Sequence, residues 1–194
     1  VTPVDPFFRE GEKTLGFEIC EQLAWSSPSR IIVPMGTGGV LSMVWKGIQE
    51  LTYIDFINQG MTKIIGVQAE GCCPIVKAFK SGREKAKALK EAETIAVDIR
   101  VKDPPLSKMA LKAIRESKGS AIAVSDSEIL EATRSLANTE GIFAEPSAAS
   151  TIAGLKRLIE DGEVDRDEKI VCVITGAGLN DLSTARKLIS NRRR

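Results

Sequence analysis

An α/β fold, built on a mainly parallel sheet with helices on both faces, is what this sequence predicts. Three observations carry the prediction. Short apolar runs alternate along the chain with segments whose apolar residues recur at helical spacing, the pattern of strands joined by crossover helices. Two of the apolar runs break at their carboxyl ends into glycine-rich turns, Gly36-Thr37-Gly38-Gly39-Val40 and Thr175-Gly176-Ala177-Gly178, each followed by a helix. The chain has 194 residues, 43% of them hydrophobic, which suits one domain with a sizeable core.

Residues 1–10 are rich in proline and aromatic side chains, show no helical period and read as a lead-in segment. From Thr14, the spacing of Leu15, Ile19 and Leu23 predicts an amphipathic helix ending near Trp25, where Ser26-Ser27-Pro28 breaks it. Residues 31–33 follow as a buried strand. After the glycine turn, Leu41, Val44, Trp45, Ile48 and Leu51 keep one helical face apolar. Residues 63–69 form a second strand, and Pro74 opens a short helix carrying Ile75 and Phe79. Between 81 and 93, charges of both signs crowd together, which predicts an exposed linker or helix. Residues 95–101 suit a short strand or an extended crossing, stopped by Asp103-Pro104-Pro105, and Leu106, Met109, Ala110, Ala113 and Ile114 define the next helix.

Residues 121–124 are a third strand, and Ser125-Asp126-Ser127-Glu128 reads as a capping box opening a helix with Ile129, Ala132, Leu136 and Ala137 inward. A further helix begins after Pro146, with Ala148, Ile152, Leu155 and Ile159 inward. A strand over 170–174 and a last helix from Asp181 to about Ser190 close the chain. No repeat, low-complexity stretch or convincing linker divides it, so residues 1–194 read as one domain.

Composition narrows the function. The formal net charge is +1, which leaves no electrostatic footprint for nucleic acid or an anionic membrane. The basic run Asn191-Arg192-Arg193-Arg194 reads as a solvated tail. No apolar stretch approaches the roughly 20 residues of a membrane span, and the first residues lack the pattern of a secretion signal, so a cytoplasmic location is expected. With no histidine, a Ser-His-Asp triad, a histidine base and His-ligated zinc are excluded within this polypeptide. The four cysteines, Cys20, Cys72, Cys73 and Cys172, show no C-x-x-C spacing and read as reduced thiols, with Cys172 in a buried strand. No metal site is expected.

Each glycine turn taken alone has a plain explanation. The Gly36–Val40 turn lacks the Lys-Ser/Thr pair of a Walker A loop and is not G-x-G-x-x-G, so its glycines could serve backbone shape only. Thr175 could simply fill a strand position, and Glu145-Pro146-Ser147 could be a helix start with Ser147 as N-cap. Two such turns together point elsewhere. Freed backbone N–H groups at a helix N-terminus hold phosphate without a cationic side chain, and a lone hydroxyl stands before the second pair of glycines. A phosphorylated cofactor lying across the strand ends is the expectation.

The motifs in order also resemble one family. A Pro-x-Gly-x-Gly-Gly turn from Pro34 is followed by V-Q-A-E-G from Val67 and V-S-D-x-E-I from Val124. Then come E-G-I-F-x-E-P-S-A-A from Glu140 and Thr-Gly-x-Gly-Leu-x-Asp from Thr175. The series is similar to the carboxyl-terminal portion of the threonine synthases, pyridoxal-phosphate enzymes of the tryptophan-synthase-β fold type (fold type II), from about Pro6 onward. Individual pieces recur in serine and threonine dehydratases and cysteine synthases.

The resemblance implies that the chain is the large, cofactor-binding domain of such an enzyme. Gly36, Thr37, Gly38, Gly39 and Val40 would hold the phosphate of pyridoxal 5'-phosphate, and Thr175 would meet the pyridine nitrogen with a neutral hydroxyl. It implies a lyase that converts O-phosphohomoserine and water to threonine and phosphate, and a homodimer. The exposed positions expected for Phe7, Phe8, Tyr53 and Phe56 suit self-association. The family's Schiff-base lysine lies in a Ser-x-Lys-Asp-type segment that does not occur here, so no catalytic residue is assigned. Lys13 matches a different family lysine, near the interdomain hinge. With Val1 in place of an initiating methionine, this predicts a fragment lacking the small domain and that lysine. Departures bear on substrate: Thr37 and Val40 stand at two asparagine positions of the family loop, and the family arginine that helps hold the substrate phosphate is matched by Arg9 only with a one-residue shift, the aligned position being Phe8. A serine/threonine dehydratase, a phosphoserine sulfur-transfer paralogue and a non-catalytic cofactor-binding or oligomerisation module are the alternatives.

Overall fold

A computed structural model describes residues 4–57 and 62–181. Four strands make one sheet, β1 (Arg30–Pro34), β2 (Lys63–Ala69), β3 (Ser120–Val124) and β4 (Ile170–Cys172), in the order β3-β2-β1-β4. Every pairing is parallel, with Ile32 opposite Ile65 on one side and Cys172 on the other. Helices α3 (Gly39–Tyr53), α4 (Pro74–Lys80), α5 (Ser107–Glu116), α6 (Asp126–Thr139) and α7 (Pro146–Glu160) make the crossovers; α1 (Pro6–Glu12) and α2 (Thr14–Gln22) precede β1.

The alternation of the strands produces two cores. Ile31, Val33, Ile64 and Ala121 point to one face and pack with residues of α2 to α5. Ile32, Ile65, Val67 and Val124 point to the other and pack with α6 and α7. β1 and β2 are buried on both sides, which explains their unbroken apolar sequences. The predicted fold class is the observed one.

Several elements differ from, or decide between, the expectations. Residues 6–12 are helical although they show no apolar period. Asp5 caps the helix, accepting from the amides of Phe7 and Phe8 at 2.8 and 3.1 Å, and Pro6 supplies the first helical φ. α2 stops at Gln22 instead of near Trp25, because Ala24 and Trp25 take positive φ values of 55° and 56°. Of the two readings given for each, the charged stretch 81–93 is the linker and not a helix, and the segment 95–101 is the crossing and not a strand. The latter holds one 3₁₀ turn, Val97–Ile99, and is anchored by Asp126, whose carboxylate accepts from Thr94 Oγ1 at 2.5 Å and the Ile95 amide at 3.1 Å.

Leu106 is the N-cap of α5, not its first residue. β4 is shorter than the predicted 170–174 and its residues, Cys172 included, are only half-buried, although the Val173 amide still donates to Ile32 O at 2.9 Å. On α7, Ile159 is 57% exposed against expectation, because Ala148, Thr151, Gly154 and Leu158 set the buried face and Ile159 lies one residue round from it. The predicted helix after Asp181 and the basic tail lie outside the described residues. Phe7, Phe8, Tyr53 and Phe56 are exposed. No helix among the described residues is long and apolar enough to cross a membrane.

Candidate active site

Strand order reverses between β1 and β4: the chain runs from β1 outward through β2 to β3, then returns to β1's other edge. In an open parallel sheet the crevice outside the carboxyl ends at such a switch point is where ligands bind. The two glycine turns that the sequence singles out leave the sheet at these two strand ends.

Buried polar groups aim the first turn. Met35 donates its amide to Val67 O at 2.8 Å, and its carbonyl accepts from Gln68 Nε2 at 3.1 Å. Gln68, fully buried, uses its amide oxygen Oε1 to accept from the amides of Ile75 and Val76 at the start of α4, at 2.9 and 3.1 Å. One glutamine thus ties the end of β1 to two neighbouring elements. In the sequence Gln68 is only the second residue of the V-Q-A-E-G motif; its one signal there is a glutamine inside a mostly apolar strand.

Gly38 then takes φ +92° as the N-cap of α3. A Cβ there would meet Ala110 Cβ and Leu106 O, both at 3.0 Å, so both conformation and space require glycine. Thr37 O accepts from the Leu106 amide at 3.1 Å, and Thr37 Oγ1 accepts from the Gly39 amide at 3.3 Å. Thr37 thus covers only the first amide of α3; the N-cap Gly38 has no side chain to add, and the amides of Val40 and Leu41 meet no acceptor among the described residues. A helix N-terminus left open behind a glycine turn can bind a phosphate-sized anion. Val40 offers only its backbone to this task.

The second turn is strapped to the segment before α7. Glu145 N donates to Gly176 O at 3.1 Å, and Gly178 N donates to Phe143 O at 2.8 Å. Thr175, just beyond β4, is exposed. Glu145 is 6% exposed; burial first, and then the Asp98 carboxyl, push its carboxyl above the usual carboxylate range. The turn Val97–Ile99 bridges the two loops. Asp98 O would be 2.9 Å from a Cβ on Gly36, and the Asp98 amide donates to Ser147 Oγ at 3.1 Å. Ser147 therefore does not cap α7, whose N-cap residue is Glu145.

Arg9 lies on α1, its Nη1 3.0 Å from Met109 Sδ on α5, with Nε buried and unpartnered. Beside it, Glu12 Oε2 is also buried without a partner and would be 3.1 Å from a Cβ on Gly39. Burial raises the Glu12 carboxyl, with Arg9 opposing. Arg9 is thus next to elements that back the first turn. Lys13 is not: its ammonium pairs with Glu10 and Glu50, both at 2.8 Å, and Glu50 lies roughly 16 Å along α3 from Gly39. All four cysteines are free, and burial raises each thiol, Cys172 to about 12, which suits none of them to nucleophilic work.

Known proteins agree with this geometry. A family profile described as "Pyridoxal-phosphate dependent enzyme" matches residues 1–176. The threonine synthase of Methanocaldococcus jannaschii is 49% identical over 94% of this chain, and that of Methanosarcina acetivorans 44% identical over 93%. The alignments cover 45% and 44% of those proteins, so the chain spans about half the length of the curated relatives it matches. Among solved structures, an L-serine ammonia-lyase from Rhizomucor miehei superposes with a TM-score of 0.77 at 25% identity, covering 94% of this chain and 57% of that one. The processed form of threonine deaminase isoform 2 from Solanum lycopersicum gives the same TM-score at 24% identity, covering 96% and 50%. The parallel sheet, the paired glycine turns at its switch point and the matched profile lead to one statement: this chain belongs to the pyridoxal-phosphate dependent enzymes.

Proposed function

We propose that residues 1–194 form the large, cofactor-binding domain of a threonine-synthase-like lyase. In the intact enzyme it would convert O-phosphohomoserine and water to threonine and phosphate. The observation that carries the reading is the pairing of an open α3 N-terminus at the end of β1 with a hydroxyl turn at the end of β4, on either side of the switch point. The 49% identity to a threonine synthase supports the substrate.

The residues fit the cofactor in two places. The glycine cradle Gly36-Thr37-Gly38-Gly39-Val40, where a Cβ at Gly38 would be crowded and its left-handed φ strained, leaves open N–H groups for a phosphate. Thr175 offers an exposed hydroxyl where the ring nitrogen would meet it. Pyridoxal phosphate, when bound, supplies the electron sink that activates bonds around the substrate's α-carbon. The chain's own groups bind and orient. The α3 N-terminus would hold the phosphate, with the Val97–Ile99 turn packed over Gly36, and Thr175 would offer the ring nitrogen a neutral hydroxyl. Arg9, beside the same loop, is the candidate for an anionic group of the substrate. The lysine that anchors the cofactor, and the small domain, would come from outside these residues, and the enzyme would work as a homodimer.

A serine or threonine dehydratase is the second reading, favoured by Thr37 and Val40 at the family's asparagine positions and by the serine ammonia-lyase superposition. Assaying the intact enzyme on O-phosphohomoserine, threonine and serine decides between them. Threonine formation with no ammonia release supports the first reading; deamination without it supports the second. Sedimentation showing a strict monomer would remove the homodimer.

A further inference from the structure

The linker between α4 and α5 has no helix or strand over residues 81–93, yet it is fastened along its length. The Ala86 amide donates to Ser107 Oγ at 3.3 Å, the Leu89 amide to Lys102 O at 3.0 Å and the Glu93 amide to Gly71 O at 3.3 Å. A Cβ on Gly71 would stand 1.8 Å from Glu93 O, so only glycine lets these two backbones meet. This course sets Lys90, Arg100 and Lys102 around an open cavity of about 650 Å³, just past the carboxyl end of β2. Lys102 Nζ donates to Lys90 O at 3.4 Å. Among the described residues none of the three cations is in an ion pair, although Glu91 and Glu93 line the same cavity.

Arg100 and Lys102 flank Val101, whose side chain goes the other way. Val101 Cγ2 would be 3.4 Å, and Asp98 O 2.9 Å, from a Cβ on Gly36. One face of this strap therefore rests on the glycine cradle, and its reverse brings two cations to the cavity. A single small ion gains little from such exposed charges, since each exposed ion pair is worth under about 1 kcal/mol. A molecule with two anionic groups collects several of these contacts for one loss of freedom. We propose that the cavity binds a small organic acid carrying two separate anionic groups, which ties Lys90 to Arg100 and Lys102. The occupant reinforces the joint that the Leu89 amide makes with Lys102 O, and so holds the strap down on Gly36 from behind. The site lies across the strap from the cradle and stands whether or not the cradle takes a cofactor phosphate.

Titration calorimetry of the intact enzyme with 3-phosphoglycerate, which has a phosphate and a carboxylate, tests this. Binding should weaken as salt rises, and glycerol 3-phosphate, one anionic group short, should bind far more weakly. Arg100→Gln/Lys102→Gln removes two exposed charges without touching the core, and should weaken 3-phosphoglycerate about tenfold or more. Gly38→Ala should leave that affinity unchanged. No binding to the wild type overturns the proposal. So does binding that survives Arg100→Gln/Lys102→Gln and is lost in Gly38→Ala, because the ligand then sits in the cradle. Hydrogen exchange gives the second readout: 3-phosphoglycerate should slow exchange at the Leu89 amide in the wild type and not in the double variant. Exchange at Leu89 that ignores the bound ligand would show that the two segments are not tied together, and overturns it equally.

Discussion

Gly38→Ala offers the sharpest test of the phosphate cradle, because the structure supplies its own control. Gly38 has φ +92° and its added Cβ would stand 3.0 Å from Ala110 Cβ and from Leu106 O. Gly82, after α4, has φ +68° and would meet nothing within 4 Å. Left-handed backbone costs a non-glycine residue about 1–2 kcal/mol, and both variants bear it. Only Gly38→Ala adds overpacking against a backbone carbonyl that α5 holds in place, typically about 1–3 kcal/mol. We therefore expect Gly82→Ala to lose about 1–2 kcal/mol and Gly38→Ala about 2–5 kcal/mol, the excess appearing as a fall in Tm of roughly 2–4 °C per kcal/mol. Thermal unfolding followed by circular dichroism measures both. Repeating the melts in inorganic phosphate adds the functional arm, since a ligand at 100 times its Kd stabilises by about 2.7 kcal/mol. The phosphate-induced rise should survive in Gly82→Ala and vanish in Gly38→Ala. Equal destabilisation of the two variants, or an equal phosphate rise in both, would refute the reasoning.

Three further outcomes follow. Thr175→Val in the intact enzyme should weaken pyridoxal phosphate by about 1 kcal/mol, close to fivefold, in a fluorescence titration; unchanged affinity and absorbance would count against its ring contact. Ser125→Ala should cost about 1 kcal/mol in urea unfolding, because the capping box with Glu128 is fully formed. Burial pushes Glu128 up, but its bonds from Ser125 and Arg157 outweigh that and lower it, so its contribution holds above pH of about 4.5 and is lost as pH falls through the lowered value. The variant's acid limb should accordingly be shallower than the wild type's. Glu168→Gln should cost about 3 kcal/mol, since Arg30, only 6% exposed in its side chain, loses its bidentate carboxylate partner. Arg30 holds Glu168 below the usual range, so the wild type should lose this stability as pH falls below the usual carboxylate range; a pH-independent deficit in the variant would contradict the assignment.

What the sequence conveyed and what it withheld divide along a physical line. The buried strands β1 and β2 and the amphipathic helix α3 were legible because burial on a sheet face or a helix face imposes a period that side chains must obey. The Ser125–Glu128 box was legible because its chemistry is local, acting across three residues. α1 was missed for the complementary reason. It buries none of its residues fully and so has no apolar period; its only signal is Asp5 followed by Pro6, a cap and a first turn. The sequence leaves the segment from Thr94 to Val101 open between a strand and a crossing because its conformation is fixed at a distance, by Asp126 and Ser147, which lie more than 30 residues onward.

The same division runs through the candidate site. The two glycine turns announce themselves, since backbone that must approach a ligand or bend left-handed selects glycine wherever the rest of the chain folds. The groups that aim those turns do not. Gln68 matters because the Met35 carbonyl and the α4 amides converge on it, and Glu145 matters because it declines to cap its own helix and goes to Gly176 instead. Neither relationship is a spacing. Each is a polar side chain buried where the surrounding elements leave it a particular partner, and a buried polar group without such a partner would destabilise the fold. Gly176 makes the dependence concrete. In sequence it looks like one more turn glycine, yet its φ is unremarkable and its requirement is steric, imposed by a carboxyl group from another element. Gly176→Ala should therefore behave unlike Gly38→Ala: pairing it with Glu145→Ala, which removes the obstructing carboxyl, should recover most of the lost stability in thermal melts. A double variant no more stable than Gly176→Ala alone would show that Glu145 is not what the glycine accommodates.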